Sequence, residues 1–382
     1  VKRQFEPLCL YRARNKPRIV SHNLRDVLPK SLTVDYGYRC QSIRPSTATL
    51  FREVEFVPLM EALTPDARKL FDLEAGTMPL SRDQFLTWMG IAITGAISSQ
   101  WVPDKFHLVF HSSGWDSRIL SSAIKRLYDA RGADWLGAVL FVCIANENGV
   151  FEDVMHAEGW EDWAYVTIPD VSPLVEKMTD IHDAGRWLNG VVLQPTDYNW
   201  LLIEYLQDLG LIPADDNQIQ LFTGRNETLM GATMPKGNGL KDSWREAYGS
   251  TLSVSRYKVN DVVFPFCDYA AVNLGLASSY RMDWSTPEKE EICHFRRDIG
   301  ITICPALEGI PRGTLVMPEL PAERVAEMSV AYSLTWYGMM IWPEAREDPT
   351  GKILGYHPWW GAWTAAALCE ALLAEGYELN VG

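Results

Sequence analysis

Between His107 and Arg118 the sequence reads His-Leu-Val-Phe-His-Ser-Ser-Gly-Trp-Asp-Ser-Arg. An apolar run gives way to serines, a glycine and an acid, and then to a helical pattern. A strand–loop–helix turn of this kind aims unpaired backbone N–H groups and the positive end of the helix dipole at one point, which suits an anion. Ser112, Ser113 and Ser117 add hydroxyl donors, and Gly114 lets the backbone approach a phosphate closely. Asp116 would repel that phosphate unless a cation stood between them, so the pattern points to Mg²⁺ as well. The plainer reading of these six residues is an ordinary β–α turn capped by serine. His107 and His111 flank the apolar run; a hydrogen-bonded structural role is the expectation for both, with a phosphate contact from His111 as the alternative.

Residues 112–117 resemble the Ser-Gly-Gly-x-Asp-Ser signature of the ATP pyrophosphatases, which split ATP between its α- and β-phosphates. Ser113 stands where that family has Gly. Downstream, Asn146-Glu147-Asn148 and the stretch 149–159 are similar to the family's acidic pair and short helix. The run from Gln218 through Thr223-Gly224-Arg225-Asn226-Glu227 to Gly231 resembles the second asparagine-synthetase motif, with Gly224, Glu227 and Gly231 matching and Asn226 in the place of an Asp. Phe264-Pro265-Phe266-Cys267-Asp268 is similar to that family's Pro-Phe-Leu-Asp turn. The resemblance spans roughly residues 110–300 and implies an asparagine-synthetase-like domain binding ATP and Mg²⁺. It places phosphates on Ser112, Ser113, Gly114, Asp116, Ser117 and Gly224, adenine near Phe110, Ile144 and Asn146, and the metal on Asp116 and Glu227. Catalytic roles fall to Asp116, Glu227 and Lys289, with Asp268 as an alternative for metal or amine. Lys289, Arg296 and Arg297 loosely echo the family's Lys-x-x-x-Arg segment, at a different spacing. The glutaminase domain of asparagine synthetases has no counterpart: residue 1 is Val, and about 80 residues before the ATP-binding region cannot hold it.

The elements needed to hold this loop are legible on either side of it. Ser81 and Gln84 form a capping-box pattern ahead of a helix over 85–99. Strands are expected over 106–110, 136–144, 163–168 and 219–223, with helices over 118–129, 151–159, 198–209 and 269–278. Strands alternating with helices predict an α/β fold with a doubly wound parallel sheet, of the adenine nucleotide α-hydrolase-like type that the resemblance implies. After Asp261 the chain reads as mainly helical, ending in a helix over 361–374. Residues 1–80, punctuated by Arg and Pro and carrying a β-like run over 31–38, read as a separate N-terminal lobe or arm, and 81–382 as the ATP-binding domain.

Composition narrows the classes. A net charge of −14 argues against a stable nucleic-acid surface. The basic stretch Arg12, Arg14, Lys16, Arg18 and Arg25 is the local exception, read as a solvated arm or a contact with an acidic neighbour. No run approaches the roughly 18 apolar residues that a membrane span needs. The first residues lack a secretory apolar core. Seven scattered cysteines without a C-x-x-C pair argue for reduced thiols and a cytoplasmic setting. The Walker pattern, a Gly-x-Ser-x-Gly elbow and zinc-ligand spacing are all absent.

The expected activity is an ATP-dependent, AMP-forming amide ligase acting on a small-molecule or peptide carboxylate, with ammonia or an amine as nucleophile and a homo-oligomer possible. The alternatives are a relative that adenylates a nucleobase or tRNA oxygen, and a degenerate nucleotide-binding or structural protein of the same fold.

Overall fold

The computed structural model describes residues 10–21, 23–34, 49–57, 61, 65, 78–144, 149–168, 199–224, 259, 261–277, 289–311 and 368–381, with the side chains at 199–201, 276–277, 289–295 and 381 outside the description. In the N-terminal region β1 (Tyr11–Ala13), β2 (Lys16–Ser21) and β4 (Val54–Phe56) form an antiparallel sheet in the order β2-β1-β4. Two of its basic residues meet acids: Arg12 lies 2.6 Å from Glu55 and 2.7 Å from Glu61, and Arg14 lies 3.2 Å from Glu55. β3 (Ser31–Val34) pairs in parallel with β10 (Glu378–Val381), and Arg25 reaches Glu375 at 2.8 Å. The expected division at residue 80 takes no account of this pairing, which seats a C-terminal strand against the N-terminal region.

α1 (Arg82–Gln100) begins at the predicted capping box: the Gln84 amide donates to Ser81 Oγ at 3.3 Å and the Ser81 amide to Gln84 Oε1 at 3.0 Å. It leads into β5 (Phe106–Phe110), the centre of a five-stranded parallel sheet. α2 (Trp115–Arg131) and α3 (Ala133–Leu136) follow, then β6 (Ala138–Ile144), α4 (Val150–Glu158), β7 (Tyr165–Ile168), α5 (Asn199–Asp208), β8 (Ile219–Phe222) and β9 (Asp261–Val263). The strand order is β7-β6-β5-β8-β9. From β5 the chain therefore builds the sheet outward on one side, then returns to build on the other.

Register explains the core. Val109, Phe141, Phe222 and Val263 lie in one row across the sheet and pack with α1, α2 and α7 (Lys289–Ile303). Leu108, Leu140, Leu221 and Val262, on the opposite face, are buried too. A sheet covered on both faces is the α/β arrangement expected of near-continuous apolar strands.

One expectation needs correction. Residue 136 does not open a strand: it closes the short α3, which lies between Gly132 and Gly137, both at positive φ. At Gly137 a Cβ would stand 2.7 Å from the Pro103 carbonyl oxygen, so only glycine turns the chain into β6 there. From Asp261 on the described residues are mainly helical, as expected, in α6 (Tyr269–Ala277), α7 and 368–374, with the short strands β9 and β10 among them. The 361–374 helix is seen at 368–374; its earlier part lies outside the described residues. Among the described residues no helix is long and apolar enough to cross a membrane.

Candidate anion-binding site

β5 ends at Phe110, and the His111 amide prolongs the ladder by donating to the Val142 carbonyl at 2.8 Å. Residues 112–114 then turn into α2, whose N-cap is Gly114; the Arg118 amide closes the first turn onto the Gly114 carbonyl at 3.0 Å. The amides of Trp115, Asp116 and Ser117 belong to the first turn, where an α-helix offers no carbonyl four residues back. Gly114 contributes no capping side chain, so the turn brings positive dipole and N–H groups to the carboxyl end of the central strand. This is also where the sheet order reverses between β5 and β8, the place at which open α/β sheets leave a crevice for ligands.

Serine hydroxyls line the turn. Ser117 Oγ accepts the Ser112 amide at 3.1 Å and lies 3.1 Å from Ser112 Oγ, which receives the Gly114 amide at 3.4 Å. Ser113 is buried and adopts φ +50°, the left-handed region that glycine enters freely and serine does not. Its amide donates to His111 Nδ1 at 3.0 Å, and its carbonyl accepts from Arg118 Nε at 3.0 Å.

Asp116, in the first turn, sits at the site's charged edge. Its Oδ2 accepts from Arg296 Nη1 at 2.7 Å across 180 residues of sequence. α7 is held for this contact by Gly300, where a Cβ would come within 3.0 Å of the Trp115 ring. Gly224, after β8, backs the same residue: a Cβ there would stand 3.1 Å from the Asp116 carbonyl oxygen. The two sequence motifs around 116 and 224 thus meet through backbone contact, and the third brings Asp268 to the start of α6. Asp268 is buried and accepts the Ala270 amide at 2.8 Å, which is a helix-capping contact.

Beneath the loop lies a polar cluster that the sequence reading did not assign. Glu158 is buried at the end of α4; its Oε1 accepts from Ser122 Oγ at 2.7 Å and Ser121 Oγ at 2.8 Å, and its Oε2 from Trp160 Nε1 at 3.1 Å. Ser121 Oγ also lies 3.2 Å from His111 Nε2. A signal was present: Val150, Val154 and Glu158 follow each other at four-residue spacing, so a carboxylate occupies the apolar stripe of α4. Burial pushes the Glu158 carboxyl up to about 8, against the pull of its hydroxyl and indole donors and of Arg118. Burial acts oppositely on the histidines, taking His111 down to about 3 and His107 to about 4. Both are structural, as expected: His107 stacks on Trp101 at 3.6 Å and its Nδ1 lies 3.1 Å from the Ala138 carbonyl oxygen.

A carboxyl raised in the folded state stabilises the fold fully below its unfolded value near 4.5, and that contribution is lost as pH rises through about 8. The wild-type protein is therefore expected to lose on the order of a few kcal/mol between pH 5 and 8 from this group. Glu158→Gln removes the titration and should shrink that loss by at least about 1 kcal/mol. Urea unfolding at the two pH values measures it, and identical slopes for both proteins would show that Glu158 does not titrate in this window. The histidines act at the acid end, their contribution being present above 6.5 and lost as pH falls towards about 4 and 3.

The structure thus brings together Ser112, Ser113, Gly114, Asp116, Ser117 and Gly224, and of the three basic candidates near 289–297 it sets Arg296 against Asp116. Ile144 ends β6 beside Ile168, one strand from the loop. Lys289 opens α7, seven residues and so about two turns ahead of Arg296; its side chain lies outside the described residues. Asn146 and Glu227 lie outside them as well. Among the described residues no group of three His, Cys, Asp or Glu side chains gathers as a metal site, and Cys143, Cys267, Cys304 and Cys369 are free thiols. No protein-family model matches the chain, and no curated protein matches it significantly.

Proposed function

We propose that this chain is an ATP-dependent, AMP-forming ligase of the asparagine-synthetase-like type, built on a doubly wound adenine nucleotide α-hydrolase-like sheet and working in the cytoplasm. The observation that carries the reading is the serine-lined turn at the carboxyl end of β5, with an acid in its first helical turn and an arginine from α7 against that acid. Asp116 anchors Arg296, but a carboxylate in the first turn is unfavourable to a bare anion bound there. A phosphate chain carrying a divalent cation accommodates it.

Mg²⁺ is compatible with this donor set, because it is commonly held by one or two carboxylates with phosphate oxygens and waters completing its shell. When bound, it would neutralise charge on the departing pyrophosphate. Asp116 would hold it, and Glu227 is proposed as a second ligand. The Ser112 and Ser117 hydroxyls and the first-turn amides of α2 receive phosphate oxygens, and Arg296 or Lys289 offsets their charge. Adenine is assigned to the end of β6, around Ile144 and Asn146. An oxygen of the substrate carboxylate attacks the α-phosphorus, and the bond to pyrophosphate breaks. An amine or ammonia nitrogen then attacks the acyl carbon, AMP leaves, and the nitrogen gives up a proton. The residues' contribution is positioning and charge neutralisation.

Incubation with Mg·ATP and panels of acids and amines, followed by nucleotide chromatography, is expected to yield AMP and pyrophosphate. ADP as the product would sink the assignment. A second reading, a nucleotide binder without turnover, is favoured by the loop's own hydrogen bonds: the amides of Ser112, Ser113 and Gly114 all have acceptors inside the protein. Mg·ATP binding without AMP release from any acid–amine pair would support it.

A further inference from the structure

The peptide units on either side of Ser113 are gripped by two buried side chains. A backbone amide can only donate, so the 3.0 Å contact from the Ser113 N–H requires His111 Nδ1 to carry a lone pair. The neutral imidazole then bears its hydrogen on Nε2, which points at Ser121 Oγ at 3.2 Å. Ser121 in turn has Glu158 Oε1 at 2.8 Å, nearer than the carbonyls of Ser117 and Arg118 at 3.2 Å each. A directed chain of donors thus runs from the loop through His111 and Ser121 to Glu158. From the other side Arg118 Nε holds the Ser113 carbonyl, while its Nη1 donates to the Ile310 carbonyl at 3.0 Å and its Nη2 to that of Pro311. His111 also packs on Phe151 of α4, with ring centroids 5.0 Å apart.

We propose that His111 is a positioning residue of the anion-binding loop, kept in one tautomer by Ser121 and Glu158, and that it holds Ser113 in the left-handed conformation with its amide turned inward. Two consequences follow. The loop tolerates serine where backbone geometry favours glycine, because the conformational cost is offset by the acceptor at Nδ1. The Ser113 amide is withheld from the ligand, so a phosphate is received by the Ser112 and Ser117 hydroxyls and the first turn of α2. The ligand part of this inference rests on the nucleotide reading above; the loop geometry does not.

Two substitutions separate positioning from packing. Asparagine places an amide oxygen near the position of Nδ1 and can still accept the Ser113 N–H. Glutamine fills the buried space better, but sets its polar end near Nε2. A packing role therefore ranks His111→Gln above His111→Asn, and a positioning role ranks them the other way. Amide hydrogen exchange of the 111–118 segment, without ligand, is expected to be at least about tenfold faster in His111→Gln than in wild type, and within about threefold of wild type in His111→Asn. Titration with Mg·ATP, and with inorganic pyrophosphate plus Mg²⁺, should show the same ranking, with about tenfold weaker binding in His111→Gln. If wild type binds neither probe, the exchange ranking still decides the positioning role, and the nucleotide reading alone falls. Exchange in His111→Gln as slow as in His111→Asn, or slower, overturns the proposal.

Discussion

Asp116→Ala is expected to abolish magnesium-dependent ATP binding, with a loss on the order of a hundredfold or more in affinity. The acid lies in the first turn of α2, and its Oδ2 receives Arg296 Nη1 at 2.7 Å. Removing it takes away the anionic ligand proposed for Mg²⁺ and releases Arg296 from the position it holds. Asp116→Asn separates these effects, because an amide oxygen can still accept from Arg296 while the negative charge is gone. Calorimetry with ATP in Mg²⁺ and in EDTA should find wild type strongly magnesium-dependent, and both variants weak under either condition. An Asp116→Asn protein with wild-type Mg·ATP affinity would remove the metal role from this residue and leave Asp116 as the partner of Arg296.

The largest effect on stability is expected at Arg118. Its side chain is fully buried, lies 4.5 Å from the Trp115 ring, and donates to the carbonyls of Ser113, Ile310 and Pro311. Its charge also favours the ionised form of buried Glu158. Arg118→Ala leaves three carbonyls without this donor and a buried acid without its cationic neighbour, at a cost of about 3–5 kcal/mol. Arg118→Met restores much of the volume but none of the donors, so it should still cost more than about 2 kcal/mol. Urea unfolding measures both. A methionine variant within about 0.5 kcal/mol of wild type would mean that Arg118 contributes packing alone.

The scaffold of the site was legible where a local pattern encodes it. The capping box at Ser81, the apolar strand 106–110 and the small-residue turn into α2 each occupy a dozen residues or fewer, and each formed as read. What escaped were contacts between distant parts of the chain. Arg296 was readable as part of a loosely matching basic segment, but nothing near Asp116 announces that the two pair, and nothing near Ser31 announces Glu378, because pairing across such separations is decided by the whole sheet and core. β9 escaped for another reason: at three residues, Asp-Val-Val is too short to display a period. Ser113 was readable as a departure from a glycine-bearing pattern. Its physical meaning needed the backbone angle and the histidine below it, since a serine at φ +50° is intelligible only with the groups that hold it there.

The pairing of β3 with β10 also sets an order of events during synthesis. All five strands of the central sheet have been made once Val263 is reached, and Arg296 follows on α7 soon afterwards. The parallel edge of β3 has to wait for Glu378 to Val381, which arrive last in this stretch of chain. The anion-binding turn can therefore be assembled on its sheet while the N-terminal region still lacks its final neighbour. Until then that strand presents unsatisfied backbone groups of the kind to which another chain can attach. A ribosome that stalls between the two events holds a nascent chain in which all five strands of the central sheet are present while the edge of β3 is still open.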